Sequence, residues 1–529
     1  MKPRARNRSL MAVACLAILV CGACAGGQSS PQGKTGPQTL IVDHNFQYDD
    51  LDPAVGGVVP TAIIIDKSVY DTLTVVNPRD LSKPYPSLAT SFSVSPDAKA
   101  TTFHLRHGVK FASGNPLTSA DVVWSLTRLD KFGSIGGQGW PMAGLTASAL
   151  DPYTVVITSA TPNPAVAMTM TIMNAGILDS VLVKQHGGTD DPHDKAEAFL
   201  NSGSAGSGPY QIESVDRTSQ IVLKANPNYW GPKPVYSTVI VRNAPPATER
   251  FDVQDGQAQV AIDISSQDAA SMSSSAVNVS SVPSSDQFYM IVTASPSVLP
   301  HADDQNFRDA IRYGLDYQGL VALAGKGAVQ ATGFIPNGLV GALPLSQAPH
   351  LDLARARADL ALVGANIPTI KLEYPTDRVF DGLSMTPFAT KIQSDLKAVG
   401  ITVNLEAEPQ AVYDERFNAG DVQMSIYSNS ADYPDATDFN GFYLVGSGSD
   451  TTSDHWLPGM DPSIDDLTTA ALAATTPADR NSAYQALETA MNSKAYFDWI
   501  LQPGKTIVSA KSVHATENPF TYVDFGSIT

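Results

Sequence analysis

Thr102-Phe-His-Leu-Arg-His-Gly-Val-Lys-Phe111 leads, past Ala112 and Ser113, into Gly114-Asn-Pro-Leu-Thr-Ser-Ala-Asp-Val-Val-Trp124. In the first block Phe103, Leu105, Val109 and Phe111 alternate with polar Thr102, His104, Arg106 and Lys110. A period of two with one apolar face describes a half-buried strand. Phe92 and Val94 precede a Ser95-Pro96-Asp97 turn, so the two runs together predict a hairpin. Gly114 to Pro116 then breaks the pattern. Thr118, with Asp121 three residues on, is a capping signature for a helix carrying Val122, Val123, Leu126 and Leu129. A hairpin that runs into a capped amphipathic helix puts the chain in the α/β class.

The same mixture continues outward. Tyr153, Val155 and Ile157 predict another strand, and Phe307, Ala310, Ile311, Gly314 and Leu315 fall on one helix face. Asp352 is placed to cap a helix that ends at Gly364. Phe388, Ile392, Leu396 and Val399 mark a further helix, stopped at Gly400, and Ile401 to Leu405 alternate as a strand. The apolar stretch from Ala165 to Val183 is broken by Thr169, Thr171, Asn174 and Asp179, so it predicts a buried helix followed by a turn rather than a membrane span. A length of 529 residues suits two to four domains, and the pattern implies at least two lobes.

The N-terminus carries an address. Lys2, Arg4, Arg6 and Arg8 form a basic head, Leu10 to Val20 an apolar run too short to span a bilayer, and Cys21-Gly-Ala-Cys24 a processing site. Small residues before Cys24 resemble a lipobox, which makes 1–23 a signal peptide and Cys24 the lipidated residue; plain cleavage without lipid is the other reading. Residues 24–39, rich in Gly, Ser, Gln and Pro, then form a flexible tether. All three cysteines, Cys15, Cys21 and Cys24, lie in this region, so the exported body relies on its core and not on disulfides. Removing 1–23 takes away four of 34 basic residues and leaves 30 against 52 acidic ones. Such a balance offers no electrostatic footprint for nucleic acid.

Together these blocks resemble the extracytoplasmic solute-binding proteins of peptide/nickel-type ABC importers, the oligopeptide- and dipeptide-binding family of bacterial lipoproteins. The resemblance runs in order through Leu51 to Ala54, Val69 to Leu73, Pro86 to Ser91, Thr102 to Trp124, Gly206-Ser-Gly-Pro-Tyr210, Leu223 to Trp230, Phe307 to Asp316, Ile370 to Leu405 and Ala431-Asp-Tyr-Pro-Asp435. It implies a two-lobed clamp with an extra domain. The inner lobe would combine 40–70, 196–290 and 495–529; the extra domain would be 71–195 and the second binding lobe 291–494. It further implies a monomer without catalytic residues or cofactor, lipid-anchored on the outer face of the cytoplasmic membrane. Such a receptor captures short peptides for permease and ATPase subunits.

By the same resemblance Asp432 holds a peptide's α-ammonium group. A turn cap ahead of Pro434 is the other reading, and Asp435 and Asp438 compete for the role. Arg378 would hold the peptide carboxylate, a task that suits its forked guanidinium, or else sit in a solvated loop. Tyr427, Asn429 and Tyr433 flank the anchor as candidate cleft residues. A nickel chelate, haem or a siderophore-like compound is the alternative cargo, because fold does not fix ligand. His186, Asp190, Asp191, His193 and Asp194 form the only cluster rich in histidine and acid, and their context reads as an exposed loop, so no metal site is expected. Ser204 and Ser207 do not fit a nucleophile elbow, and no phosphate-binding loop occurs, which argues against an enzyme or ATPase.

Overall fold

In a computed structural model of the chain, residues 38–529 are described, apart from 48–49, 57–58, 134–137, 192, 273, 516–517 and 521–522. The stretch expected to be a signal peptide (1–23), the expected lipidation site Cys24 and nearly all of the expected tether lie outside the described residues.

The opening stretch folds as a hairpin of Ala89–Val94 and Ala100–Leu105, with Phe92 opposite Phe103. Phe103 and Leu105 are buried and His104 is exposed, so the alternation is a real inside and outside. The strand ends at Leu105, earlier than the alternation suggests. Gly108, at φ +77°, turns the chain, and Val109 and Phe111 enter the core beyond that turn. Thr118 starts the helix Ser119–Gly133 as predicted: the Asp121 carboxylate accepts its backbone N–H at 2.9 Å and its hydroxyl at 3.0 Å. Leu145–Asp151 and Thr154–Ser159 complete an antiparallel four-stranded sheet, whose inner side chains Phe103, Val155 and Ile157 meet Val122, Leu126 and Leu129 of that helix.

A seven-stranded sheet runs in the order Val277–Pro283, Gly504–Ala510, Val260–Ala261, Thr39–His44, Thr238–Asn243, Gln220–Ala225 and Tyr210–Asp216. Leu40, Val42, Val239 and Val241 face Ile64 and Ile65 of the helix Pro60–Val69. Where Gly206-Ser-Gly-Pro-Tyr210 crosses the end of that helix there is no room for a side chain. A Cβ at Gly206 would stand 1.9 Å from the Val69 carbonyl oxygen. Ser207 is fully buried and donates to Asp71 at 2.8 Å, as does the Trp230 indole at 2.7 Å, so this serine fastens a loop.

A six-stranded sheet has the order Val329–Gln330, Phe497–Gln502, Gln287–Val292, Met424–Asn429, Ile370–Pro375 and Val403–Glu408. Every residue of Gln287–Val292 is buried because both faces are covered. Phe288 and Met290 join Phe307, Ile311, Phe388 and Ile392 on one side, while Tyr289 and Ile291 join Tyr443, Phe497 and Trp499 on the other. Burying one such side chain contributes about 1.5–3 kcal/mol. The chain passes between the two larger sheets twice, at Ser284 to Asp286 and at Pro503.

Three expectations need correction. Ala165 to Val183 is buried but forms short helices, Val166–Thr169, Met173–Ala175 and Ser180–Gln185, instead of one. The Asn174 amide leaves the segment to bond Pro53 O at 2.8 Å, and Gly176 lies so close to Tyr70 that a Cβ would come within 2.9 Å of its side chain. The strand expected at Ile401 starts at Val403, opposite Ile370, and continues to Glu408. Asp194 belongs to no solvated loop: it is buried and accepts Arg128 at 2.9 Å, beside the Arg128–Asp52 pair at 2.5 Å.

Candidate functional site

Strand Met424–Asn429 ends where a loop carries Ser430 to Asp435 into the 3-10 turn Ala436–Phe439. Two acids build this loop, and neither is Asp432. The Asp435 carboxylate accepts the Thr437 N–H at 3.0 Å and is paired with Arg480 from the helix Pro477–Lys494. Asp438 accepts the backbone N–H of Asp432 at 2.8 Å. With the turn already capped, the Asp432 side chain has no folding task, and its carboxylate accepts no hydrogen bond from any described residue.

Asp432 lines a cavity of about 860 Å³. One wall comes from Trp140 and Pro141, beyond the helix Ser119–Gly133, and from Pro162, beyond the strand Thr154–Ser159; the other comes from Tyr433, Phe442 and Leu472. The Trp140 and Tyr433 rings stack at 6.2 Å with 17° between planes, and the Tyr433 hydroxyl meets Thr437 Oγ1 at 3.1 Å. A second, much smaller cavity touches the other side of Asp432, between Lys67, Met173 and Phe520.

Burial and the nearby charge of Asp286 push the Asp432 carboxyl up to about 7. Asp438 is raised well above the carboxylate range by burial and by Asp432. Asp381 is likewise pushed up to about 7 by burial and by Asp286, with Lys505 at 4.0 Å on its other side. A desolvated, repelled carboxylate that faces open space attracts a cation.

The structure does not bring the other sequence candidates to this cavity. Arg378 donates to the Tyr427 hydroxyl at 2.6 Å and stacks on Phe380 at 4.5 Å, on an exposed edge. Tyr427 also accepts from Gln410 at 3.0 Å and stacks on Tyr413 at 5.3 Å. Asn429 donates to the Tyr289 hydroxyl at 3.0 Å, behind the loop. These three side chains are committed to packing the strand that leads to Asp432. Sequence reasoning missed Trp140 and Asp286. The one legible signal was a tryptophan standing in the glycine-rich run Gly136 to Gly139, with no strand or helix period to absorb it.

The sequence profile of bacterial extracellular solute-binding proteins, family 5 (middle), matches residues 83–451. The chain belongs to that family. This solute-binding protein is 28% identical over 509 residues to the probable D,D-dipeptide-binding periplasmic protein DdpA of Escherichia coli (strain K12), covering 90% of this chain and 94% of the relative. Among solved structures, NikA from Brucella suis in complex with Fe(III)-EDTA matches at a TM-score of 0.79 with 20% identity, over 93% of this chain and 99% of that one. DppA from Helicobacter pylori in complex with peptide STSA matches at 0.73 with 19% identity, over 93% and 97%. The α/β architecture is therefore the two-lobed one of periplasmic binding proteins. As a family 5 solute-binding protein it works in transport by binding, outside the cytoplasm, and is not an enzyme. No helix among the described residues is long and apolar enough to cross a membrane.

Proposed function

We propose that this protein captures short peptides outside the cytoplasm and hands them to the permease and ATPase of an ABC importer, with Asp432 pairing the peptide's α-ammonium and Tyr433 walling the site. The observation that carries this reading is that Asp432, whose carboxylate accepts no hydrogen bond from any described residue, lines a cavity of about 860 Å³. The similarity to DdpA, a probable D,D-dipeptide-binding periplasmic protein, over nine-tenths of this chain supports it. A metal chelate or haem fits less well, because an anionic cargo would meet the Asp432 carboxylate in the cavity, and the one cation among the described lining residues, Arg480, is paired with Asp435. In this reading Arg378, Tyr427 and Asn429 support the anchor strand. The inner lobe is built on the seven-stranded sheet, the second binding lobe on the six-stranded one, and the extra domain on the four-stranded one. Lipid on Cys24 tethers a monomer to the outer face of the cytoplasmic membrane.

Calorimetric titration of wild type and Asp432→Ala with a free tripeptide and its N-acetyl form tests the anchor. Losing a desolvated charge partner costs about 2–5 kcal/mol, or roughly 30- to 4000-fold in affinity. Acetylation should cost wild type that much and the variant little, since both changes remove one interaction. Additive losses would assign the ammonium to another group.

A further inference from the structure

We infer that the cavity takes a ligand made of one ammonium group on an uncharged, largely apolar body, and that it does not read a carboxylate at the ligand's far end. The inference rests on Asp432 as the ammonium anchor and adds what the rest of the cavity selects.

The charges on the lining are few. They are Asp432, Asp438 and Arg480. Arg480 is already neutralised by Asp435, and its guanidinium lies 5.9 Å from the Tyr484 ring. Lys67 borders the small cavity at Asp432 and a separate cavity lined by Asp71, Tyr229 and Trp230, where its charge acts on Asp71; it does not line the large one. Arg378 is on an exposed edge with Tyr427 and Phe380. A carboxylate entering the large cavity would lose its hydration beside Asp432, with no uncommitted cation among the described lining residues to replace the lost water.

The remaining wall is built for an apolar body. Trp140 is 39% exposed and Leu472 49% exposed, large side chains left open on the cavity surface. Trp140 and Tyr433, stacked nearly parallel on the cavity lining with Asp432, present aromatic surface that attracts an ammonium and covers hydrocarbon equally well. Anchor and wall therefore recognise the first part of a chain and leave its end in solvent. A peptide amide, or an amine with an apolar tail, satisfies the same contacts as a free peptide.

The test titrates wild type with three forms of Ala-Phe-Ala: free termini, C-terminal amide and N-acetyl. The amide should bind within about threefold of the free peptide, or more tightly, while acetylation costs at least about 30-fold. Trp140→Ala should weaken the free peptide and the amide by the same factor, about tenfold. If amidation costs tenfold or more and acetylation also costs, the anchor stands and this inference falls. If acetylation costs nothing, or if none of the three peptides binds, the anchor reading falls and takes the inference with it.

Discussion

Asp432 sits where charge is least welcome: half-buried, without a donor, and beside Asp286. Its folded pKa of about 7 lies above the ordinary value, about 3.9 for an unfolded chain. From about pH 4 to 7 the folded protein therefore holds a proton that the unfolded chain has released, and stability falls as pH rises through that window. Asp432→Asn removes the penalty. Thermal melts of the unliganded protein should show the variant a few degrees above wild type at pH 8 and level with it near pH 4, because at most about 4 kcal/mol is at stake. Binding runs the other way. The carboxyl must ionise to meet an ammonium, so wild-type affinity for a free-amine peptide should rise by up to about tenfold per pH unit from 5 to 7 and then level. A flat profile would mean that the group is already charged in the free protein. Asp432 and Tyr433, which both line the cavity, could be singled out from the sequence because one short motif carries them. Trp140 and Asp286 could not, since they reach the site from remote segments through packing. Arg378 failed as a cavity residue because Tyr427 and Phe380 claim its guanidinium, a contact no linear pattern records.

At the scale of elements, sequence reading succeeded where the signal is local. Asp352 accepts the Arg355 N–H at 2.9 Å at the start of Leu353–Val363, and Gly400 takes φ +104° at the end of Thr386–Val399. It failed between Ala165 and Val183, where a side chain bonding across the fold outweighs helix continuity. The crossing of Gly206 over the helix Pro60–Val69 gives a sharp test. Gly206→Ala drives a methyl group into a backbone carbonyl that cannot step aside, so soluble yield or melting temperature should drop by the equivalent of about 3 kcal/mol or more. Gly441→Ala, whose added Cβ meets nothing within 4 Å, should leave the melting temperature almost unchanged. Equal effects at both positions would mean that the crossing is looser than its geometry.

For the whole molecule, the address and the body separate cleanly in sequence: every cysteine lies within the first 24 residues, and the folded part depends on its sheets. In the native host, wild type should fractionate with membranes, and Cys24→Ser should appear in the soluble fraction or as uncut precursor. A processed Cys24→Ser protein that still pellets with membranes would rule out the lipid anchor. The two passes between the larger sheets carry a different consequence. Ser284 donates to the Pro503 carbonyl at 2.8 Å, and the Gln502 amide donates to the Ser284 carbonyl at 2.8 Å, so the two links are laced to each other. Four residues hold roughly seven soft dihedrals, one being lost to the proline ring. If the two larger sheets are the cores of the two lobes, as proposed, such links let the lobes swing like a door on paired pins rather than drift like two beads on a string. A ligand that shuts the door has one angle to arrest instead of six rigid-body freedoms, and most of its contact energy remains for grip.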